Sequence, residues 1–341
     1  MLDTEALLRP ISDEAPAGAN LRDDPSSGAA YYEIKDARNA ARAVERAART
    51  ADDPSTAPQA DWSPILELAP AILAEKSKDL EVAAWLLEAL VRERGYGGLA
   101  DGFELVRGLV VNFWDHLHPM PDEDGMLTRV APLTGLNGDD SEGTLIVPIG
   151  MVPLLEDELG ELGPWHFRSA RDLQAVTDPE VRQRRIESGA VPMERFDAAL
   201  LGVDAAHLYA AMDDLERAIA GFAALCDALD ERCGRDGPPV SNIRHALEES
   251  LDCLKFLTRD LPRPAEGGGA SDSPAAAALR RPPQRPPPRR PASSRRAPTR
   301  SRRSRRSATT TASPSRTRPC RTCSTRLCAG RRCRSTNSSA S

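Results

Sequence analysis

The charge of this chain changes character near residue 263, and that break decides which part of it can fold. From Arg263 onward there are twenty arginines and two acids, a balance of +18, whereas the residues before it carry 25 basic and 49 acidic side chains, or −24. The formal total of −6 conceals two unlike polymers. From Arg280 on there is no Val, Ile, Met or aromatic residue, so that stretch cannot bury a core and is expected to be disordered. The part before the break is acidic, rich in Ala, Leu and Glu and poor in aromatics, the composition of helices that bury modest faces against one another. The expected fold class is all-α: a helical bundle N-terminal domain over 1–160, a second helical region or middle domain over 161–262, and a disordered Arg/Pro/Ser-rich tail over 263–341.

Periodicity supports this reading. An irregular lead, Pro10 to Gly28, precedes a polar helix from Tyr31 to about Arg49 whose apolar stripe is thin. Asp61 is placed to cap a helix that Trp62 opens, carrying Ile65, Leu66, Leu68, Ile72 and Leu73. Ser77 is a second cap candidate, before a stripe of Val82, Ala83, Leu86, Leu87 and Leu90 that Gly95, Gly97 and Gly98 terminate. Leu99, Phe103, Val106, Val110, Phe113, Trp114 and Leu117 line the next helix. Short-linked helices of this sort pack antiparallel around one core. In "GTLIVPIGMVPLLE", Gly143 to Glu156, Pro148 and Pro153 remove ladder donors, so this β-branched run reads as an edge or extended connector and no sheet is expected from it. Further helices are expected in "GPWHFRSARDLQAV", "DPEVRQRRIESG" and "MERFDAALLG", from Asp204 to about Arg232, and from Val240 to about Thr258.

The stretch "NFWDHLHPMPDEDG", Asn112 to Gly125, gathers two histidines and four carboxylates and raises the question of a metal or acid/base site. Helical ligands share a face at i, i+3 or i+4. His116 and His118 are two apart and diverge by about 200° on a helix. Pro119 ends the helix there, so His118 is expected at its C-terminus, bonding the last free carbonyls, with Asp122, Glu123 and Asp124 in an ordinary turn. An enzyme using Asp115 to Asp124 with a metal is the weaker reading. Walker A, G-x-S-x-G, H-E-x-x-H and helix-opening G-x-G-x-x-G patterns are absent. His166, His207 and His245 are isolated and read as structural. Cys226, Cys233 and Cys253 read as free thiols. No catalytic residue, cofactor or metal is assigned.

The lead "RPISDEAPAGANLRDDP" resembles the opening of the ImpA N-terminal domain of TssA proteins from type VI secretion systems, with Pro10, Ile11, Ser12, Gly18 and Leu21 on its motif positions. The body is similar in order and spacing: the Asp-Trp segment at Trp62, the Ser-Lys-Asp-Leu helix start at Ser77, Asp79 and Leu80, a Gly-Leu-x-x-Gly helix, the W-x-x-x-H-P ending at Trp114, His118 and Pro119, and an R-x-x-x-L-x-x-L element at Arg129, Leu133 and Leu136. The likeness is strong over about 7–160 and continues to about 260. It implies a non-enzymatic cytoplasmic component of a contractile injection machine, one that forms rings through its C-terminal region, contacts baseplate and membrane complex, and assists tube and sheath assembly through protein–protein contacts. It makes the named motif residues fold-defining, and implies no small-molecule substrate.

The tail departs from that pattern, since more helical protein with the oligomerisation surface belongs there. Taken literally it is an arginine arm that would bind nucleic acid by counterion release, which supplies the alternative function, a nucleic-acid-associated protein. Cys320, Cys323, Cys328 and Cys333 lack paired C-x-x-C knuckles. Arg, Pro, Ala, Ser, Thr and Cys without any lysine after Lys255 also match GC-rich DNA translated out of frame, and that is the expected origin of the tail. No apolar run approaches the ~20 residues that span a bilayer, and the N-terminus lacks the order of a secretion signal.

Overall fold

The computed structural model describes residues 2–23, 25–49 and 58–264. The arginine tail and its four cysteines, and with them the disordered, nucleic-acid-binding and out-of-frame readings, lie outside the described residues. So do residues 50–57.

Helices dominate. In chain order they are α1 (Thr4–Leu7), α2 (Pro25–Arg49), α3 (Ser63–Glu75), α4 (Leu80–Phe113), α5 (Met126–Asn137) and α6 (Ile146–Gly150), followed by α7 (Pro164–Gln174), α8 (Pro179–Glu187), α9 (Met193–Leu200), α10 (Ala205–Cys233) and α11 (Ser241–Thr258). Among the described residues the one sheet is a hairpin of β1 (Leu155–Asp157) and β2 (Gly160–Leu162), paired antiparallel with Leu155 opposite Leu162.

The centre of the fold is α4. It is broken at Gly95, whose φ of 58° and ψ of −139° only glycine adopts cheaply. A Cβ on Gly98 would lie 2.2 Å from the Leu90 carbonyl oxygen, and one on Gly102 would lie 2.1 Å from Leu87 Cδ1. In a straight helix Leu87 and Gly102 would be about 22 Å apart along the axis. The two limbs, 80–94 and 96–113, therefore fold back on one another, and glycines at i and i+4 let them touch. The helix stop expected at the glycine cluster is thus a hairpin between two helices.

Both limbs are buried almost throughout. α3 lies against them through Ile65, Ala69, Ile72 and Leu73. The most extensive helix pairing is α4 with α10, which presents Leu208, Met212, Leu215, Ala218, Phe222 and Leu225 at helical spacing; the Phe103 and Phe222 rings meet at 5.0 Å. α11 packs on α10 and closes the core with Ile243, Leu247, Leu254 and Leu257. The division anticipated at residue 160 falls inside the β1–β2 hairpin, whose Leu155 and Leu162 join the same core as α4 and α10. All the described residues fall in one compact unit.

Several local expectations need correction. Residues 146–150 are helical, because with the prolines at 148 and 153 donating nothing, a single turn satisfies the Ile149 and Met151 amides on the Leu145 and Val147 carbonyls. Ser77 does not cap; Asp79 does, its Oδ1 accepting from the amides of Glu81 and Val82 at 2.9 and 3.2 Å. Asp61 lies two residues before α3, where its Oδ1 accepts from the Ser63 amide at 3.0 Å and Trp62 takes the cap position. Helix α2 starts earlier than Tyr31 and is not merely solvated. Besides Tyr31, Ile34 and Ala41 it is seated by ion pairs, Arg38 on Glu88 and Glu45 on Arg92.

Candidate functional site

The end of α4, the start of α4 and the irregular lead meet at one place. The His118 amide donates to the Lys78 carbonyl at 3.0 Å, and the Leu80 amide donates to the His118 carbonyl at 2.7 Å, so the segment after α4 runs as a short parallel bridge beside Asp79. On the other side of Lys78, its amide donates to the Ala17 carbonyl at 2.7 Å. The lead is thereby clamped in the same layer. Gly18 sits at φ +72°, and a Cβ there would be 2.1 Å from the Lys76 carbonyl oxygen, so glycine is required by both angle and space.

His118 does not bond the last carbonyls of α4. Its Nε2 lies 3.3 Å from the Gly18 carbonyl oxygen, a bond that requires Nε2 to carry the proton. The ring is 9% exposed, whereas His116 faces solvent, so the two histidines diverge as their spacing requires. The His118–Pro119 bond is cis.

Two buried cations hold this junction. Lys78 is fully buried; Nζ donates to the carbonyls of Leu7 and Leu73 at 2.7 and 2.6 Å and lies 5.4 Å from the centre of the Phe113 ring. Burial pushes its ammonium down to about 8. Arg129, 3% exposed, reaches back from α5: Nη1 donates to the Trp114 carbonyl at 2.7 Å, Nε to the Pro119 carbonyl at 3.3 Å, and the guanidinium lies 4.9 Å from the Trp114 ring centre. Burial lowers its pKa, with Asp115 and then Cys233 acting the other way.

A third cation, Arg22 from the lead, forks between Asp79 Oδ2 at 2.8 Å and Glu81 Oε2, and stacks on Tyr31, whose hydroxyl donates to Glu81 Oε2 at 2.7 Å. Burial alone would lower Arg22, but Asp79 and Glu81 outweigh it and hold the guanidinium above its ordinary value. Burial, then Glu81, raises the Tyr31 phenol.

Of the residues singled out from sequence, Gly18, Ser77, Asp79, Leu80, Trp114, His118, Pro119 and Arg129 are brought together here. Ile11 Cγ1 comes within 3.2 Å of where a Gly18 Cβ would stand; Leu21 is fully buried, while Pro10 and Ser12 are exposed, Ser12 Oγ accepting from the Ala15 amide. Leu133 and Leu136 point into the core from α5. Trp62 stands apart: its Nε1 donates to Glu45 Oε1 at 2.9 Å, and Arg92, bidentate on the same carboxylate, lies 4.0 Å from the Trp62 ring centre. Lys78 and Arg22 were not singled out, although both lie within the quoted motifs; a lysine flanked by Ser and Asp at a helix start carries no sign of burial until the chain folds over it.

Asp122 to Asp124 form the expected turn, Asp122 Oδ1 accepting from the Asp124 amide at 2.9 Å and the Thr128 hydroxyl at 2.5 Å, which lower its pKa. His166 Nδ1 accepts from the Gly163 amide at 3.1 Å, and burial and Arg195 lower its pKa. His245 contacts Glu249, and Cys226, Cys233 and Cys253 are free thiols. Among the described residues no three His, Cys, Asp or Glu side chains converge as metal ligands would, and no helix is long and apolar enough to cross a membrane. Ser77 Oγ and His118 Nδ1 are buried without a hydrogen-bond partner among the described residues, but the charged groups of the junction are committed to backbone atoms and to each other, and what this arrangement does chemically is hold three chain segments in register.

Comparison with known proteins agrees with the motifs that meet at the junction. Residues 8–138 match the family described as ImpA, N-terminal, type VI secretion system. The chain is 30% identical over 283 residues to the type VI secretion system component TssA1 of Pseudomonas aeruginosa, covering 82% of this chain and 74% of that protein. The fold matches the solved N-terminal domain, including the conserved ImpA_N region, of the TssA component of the type VI secretion system from Burkholderia cenocepacia, with a TM-score of 0.64 and 26% identity over 77% of this chain and 96% of that one. With sequence, spacing and fold in agreement, this chain belongs to the TssA family of type VI secretion components.

Proposed function

We infer that this protein is a non-enzymatic, cytoplasmic member of the secretion machine, which assists baseplate docking and tube and sheath assembly through protein–protein contacts. The observation that carries the reading is the relation to the two TssA proteins across most of the chain, the motif junction included. Use of the buried cations Lys78 and Arg129 for backbone carbonyls supports a scaffold in preference to a catalyst. Its partners in this reading are baseplate, membrane-complex and tube or sheath subunits, together with copies of itself.

The test is affinity purification of the tagged full-length chain from a bacterium with an active injection machine, followed by mass spectrometry. Baseplate, membrane-complex or sheath subunits are expected above an unrelated tagged helical protein. Equal recovery in both samples would falsify the assignment.

A further inference from the structure

Away from the motif junction, two adjoining hollows of about 410 and 690 Å³ lie between α2, the first limb of α4, the 142–153 segment and α7. They share Glu45, Arg49, Arg92, Glu142, Val147 and Pro148 and so form one groove. Its two walls differ. On one, α2 presents Arg42, Arg46 and Arg49, spaced four and three residues apart and hence on one helix face. On the other lie Val147, Pro148, Met151 and Trp165, the last two 42% and 38% exposed.

Among the described residues, one of the three lining carboxylates and a buried neighbour are engaged. Glu45 is held by Arg92 in a bidentate pair, and buried Glu88 accepts from Arg38 at 2.5 and 3.2 Å and from Thr144 at 2.8 Å. Glu142 and Glu161 remain on the lining. Burial, and then the neighbouring cations Arg38, Arg46 and Arg92 against Glu88, hold Arg42 below its ordinary pKa. A basic wall of this kind on a body with a −24 balance is a local inversion of the surface field.

We propose that this groove docks an acidic peptide segment of a partner protein, its carboxylates meeting the α2 arginines and one apolar side chain seating against Met151 and Trp165. Arginine forks carboxylates bidentately, and an aromatic beside a basic wall supplies the anchor on which peptide affinity concentrates. A nucleic-acid strand fits less well: the acidic body repels a polyanion at range, and no aromatic side chain alternates with the arginines to stack bases. The proposal rests on the secretion-component reading and names the contact face it leaves open.

The probe is a short fluorescein-labelled peptide of glutamates around a central Leu-Trp pair, titrated into the full chain by anisotropy. Saturable binding that weakens as salt rises is expected. Arg46→Glu with Arg49→Glu, both exposed and therefore compatible with the fold, is expected to weaken it about tenfold or more, and Trp165→Ala about fivefold, with circular dichroism unchanged. Affinity unaltered by both variants, or tighter binding of a single-stranded oligonucleotide that competes the peptide off, overturns the proposal. The purification described above, repeated with the arginine variant, separates the two ideas. Secretion subunits retained equally by wild type and variant remove the groove and leave the family role standing, whereas peptide binding that depends on the arginines without any secretion subunit recovered keeps the groove and removes the role.

Discussion

Arg129 donates to the Trp114 carbonyl at 2.7 Å while its guanidinium lies 4.9 Å from the Trp114 ring centre, so one buried side chain ties α5 to both the backbone and the aromatic face at the end of α4. No carboxylate hydrogen-bonds it. Its charge is carried by carbonyl dipoles and a π face, an arrangement suited to the planar fork of arginine. Arg129→Ala is expected to destabilise the body by about 2–4 kcal/mol in denaturant unfolding, from orphaned carbonyls and a cavity. Arg129→Lys should recover only part of this, since an ammonium cannot reach Trp114 and Pro119 as a fork does; full rescue by lysine would refute the geometric account.

Lys78 gives a pH signature. Its folded pKa is pushed down to about 8 from an ordinary value of 10.5. The unfolded chain thus binds more protons at this site between those values, and the contribution of Lys78 to stability rises with pH through that window. The thermal midpoint of Lys78→Met should be lower than wild type at pH 7, because the Leu7 and Leu73 carbonyls lose their donor, and the gap should widen between about pH 8 and pH 10. A gap constant across that range would rule out the depressed ammonium. Using the difference removes the opposite slope from phenols and thiols such as Cys253, whose pKa burial raises.

Gly18→Ala places a methyl 2.1 Å from the Lys76 carbonyl oxygen on a backbone at φ +72°. A loss of about 2–4 kcal/mol is expected from strain and clash together. Gly135, exposed in α5 with nothing within 4 Å of a Cβ, is the internal control. There the same change should stabilise by up to about 1 kcal/mol.

The two jobs of Asp79 separate by substitution. Asp79→Asn keeps an oxygen for the Glu81 and Val82 amides but loses the charge facing Arg22, whereas Asp79→Ala loses both. The alanine variant should be the less stable of the two by about 1 kcal/mol, the worth of a helix N-cap. In an Arg22→Ala background the cost of Asp79→Asn should shrink, measured as a double-mutant cycle; an unchanged cost would mean the pair contributes nothing.

Asn137 caps a helix that is remote in sequence. From the end of α5 its Oδ1 accepts from the Asn242 and Ile243 amides, each at 3.0 Å, where α11 has no side-chain cap of its own. Asn137→Ala should cost about 1–3 kcal/mol and raise amide hydrogen exchange in the first turn of α11. Exchange confined to α5 would show that the two ends are not coupled.

What the sequence by itself determined is the helical class of the body and most of its elements. The stripes of α3, α4, α10 and α11 repeat every three to four residues, and Gly95 breaks α4 because the required φ is a local property of glycine. The order of motifs also carried the family, and it pointed to the residues that meet at the junction. Tertiary structure decided the rest, and for one reason: burial and partnership are set by what another segment brings. Nothing local marks Lys78 for the interior, Gly18 as the partner of His118, or Asn137 as the cap of α11, since each depends on a carbonyl or amide tens of residues away. The continuity of the core across residue 160 has the same origin, because α10 completes the burial of α4 only once the chain has returned to it.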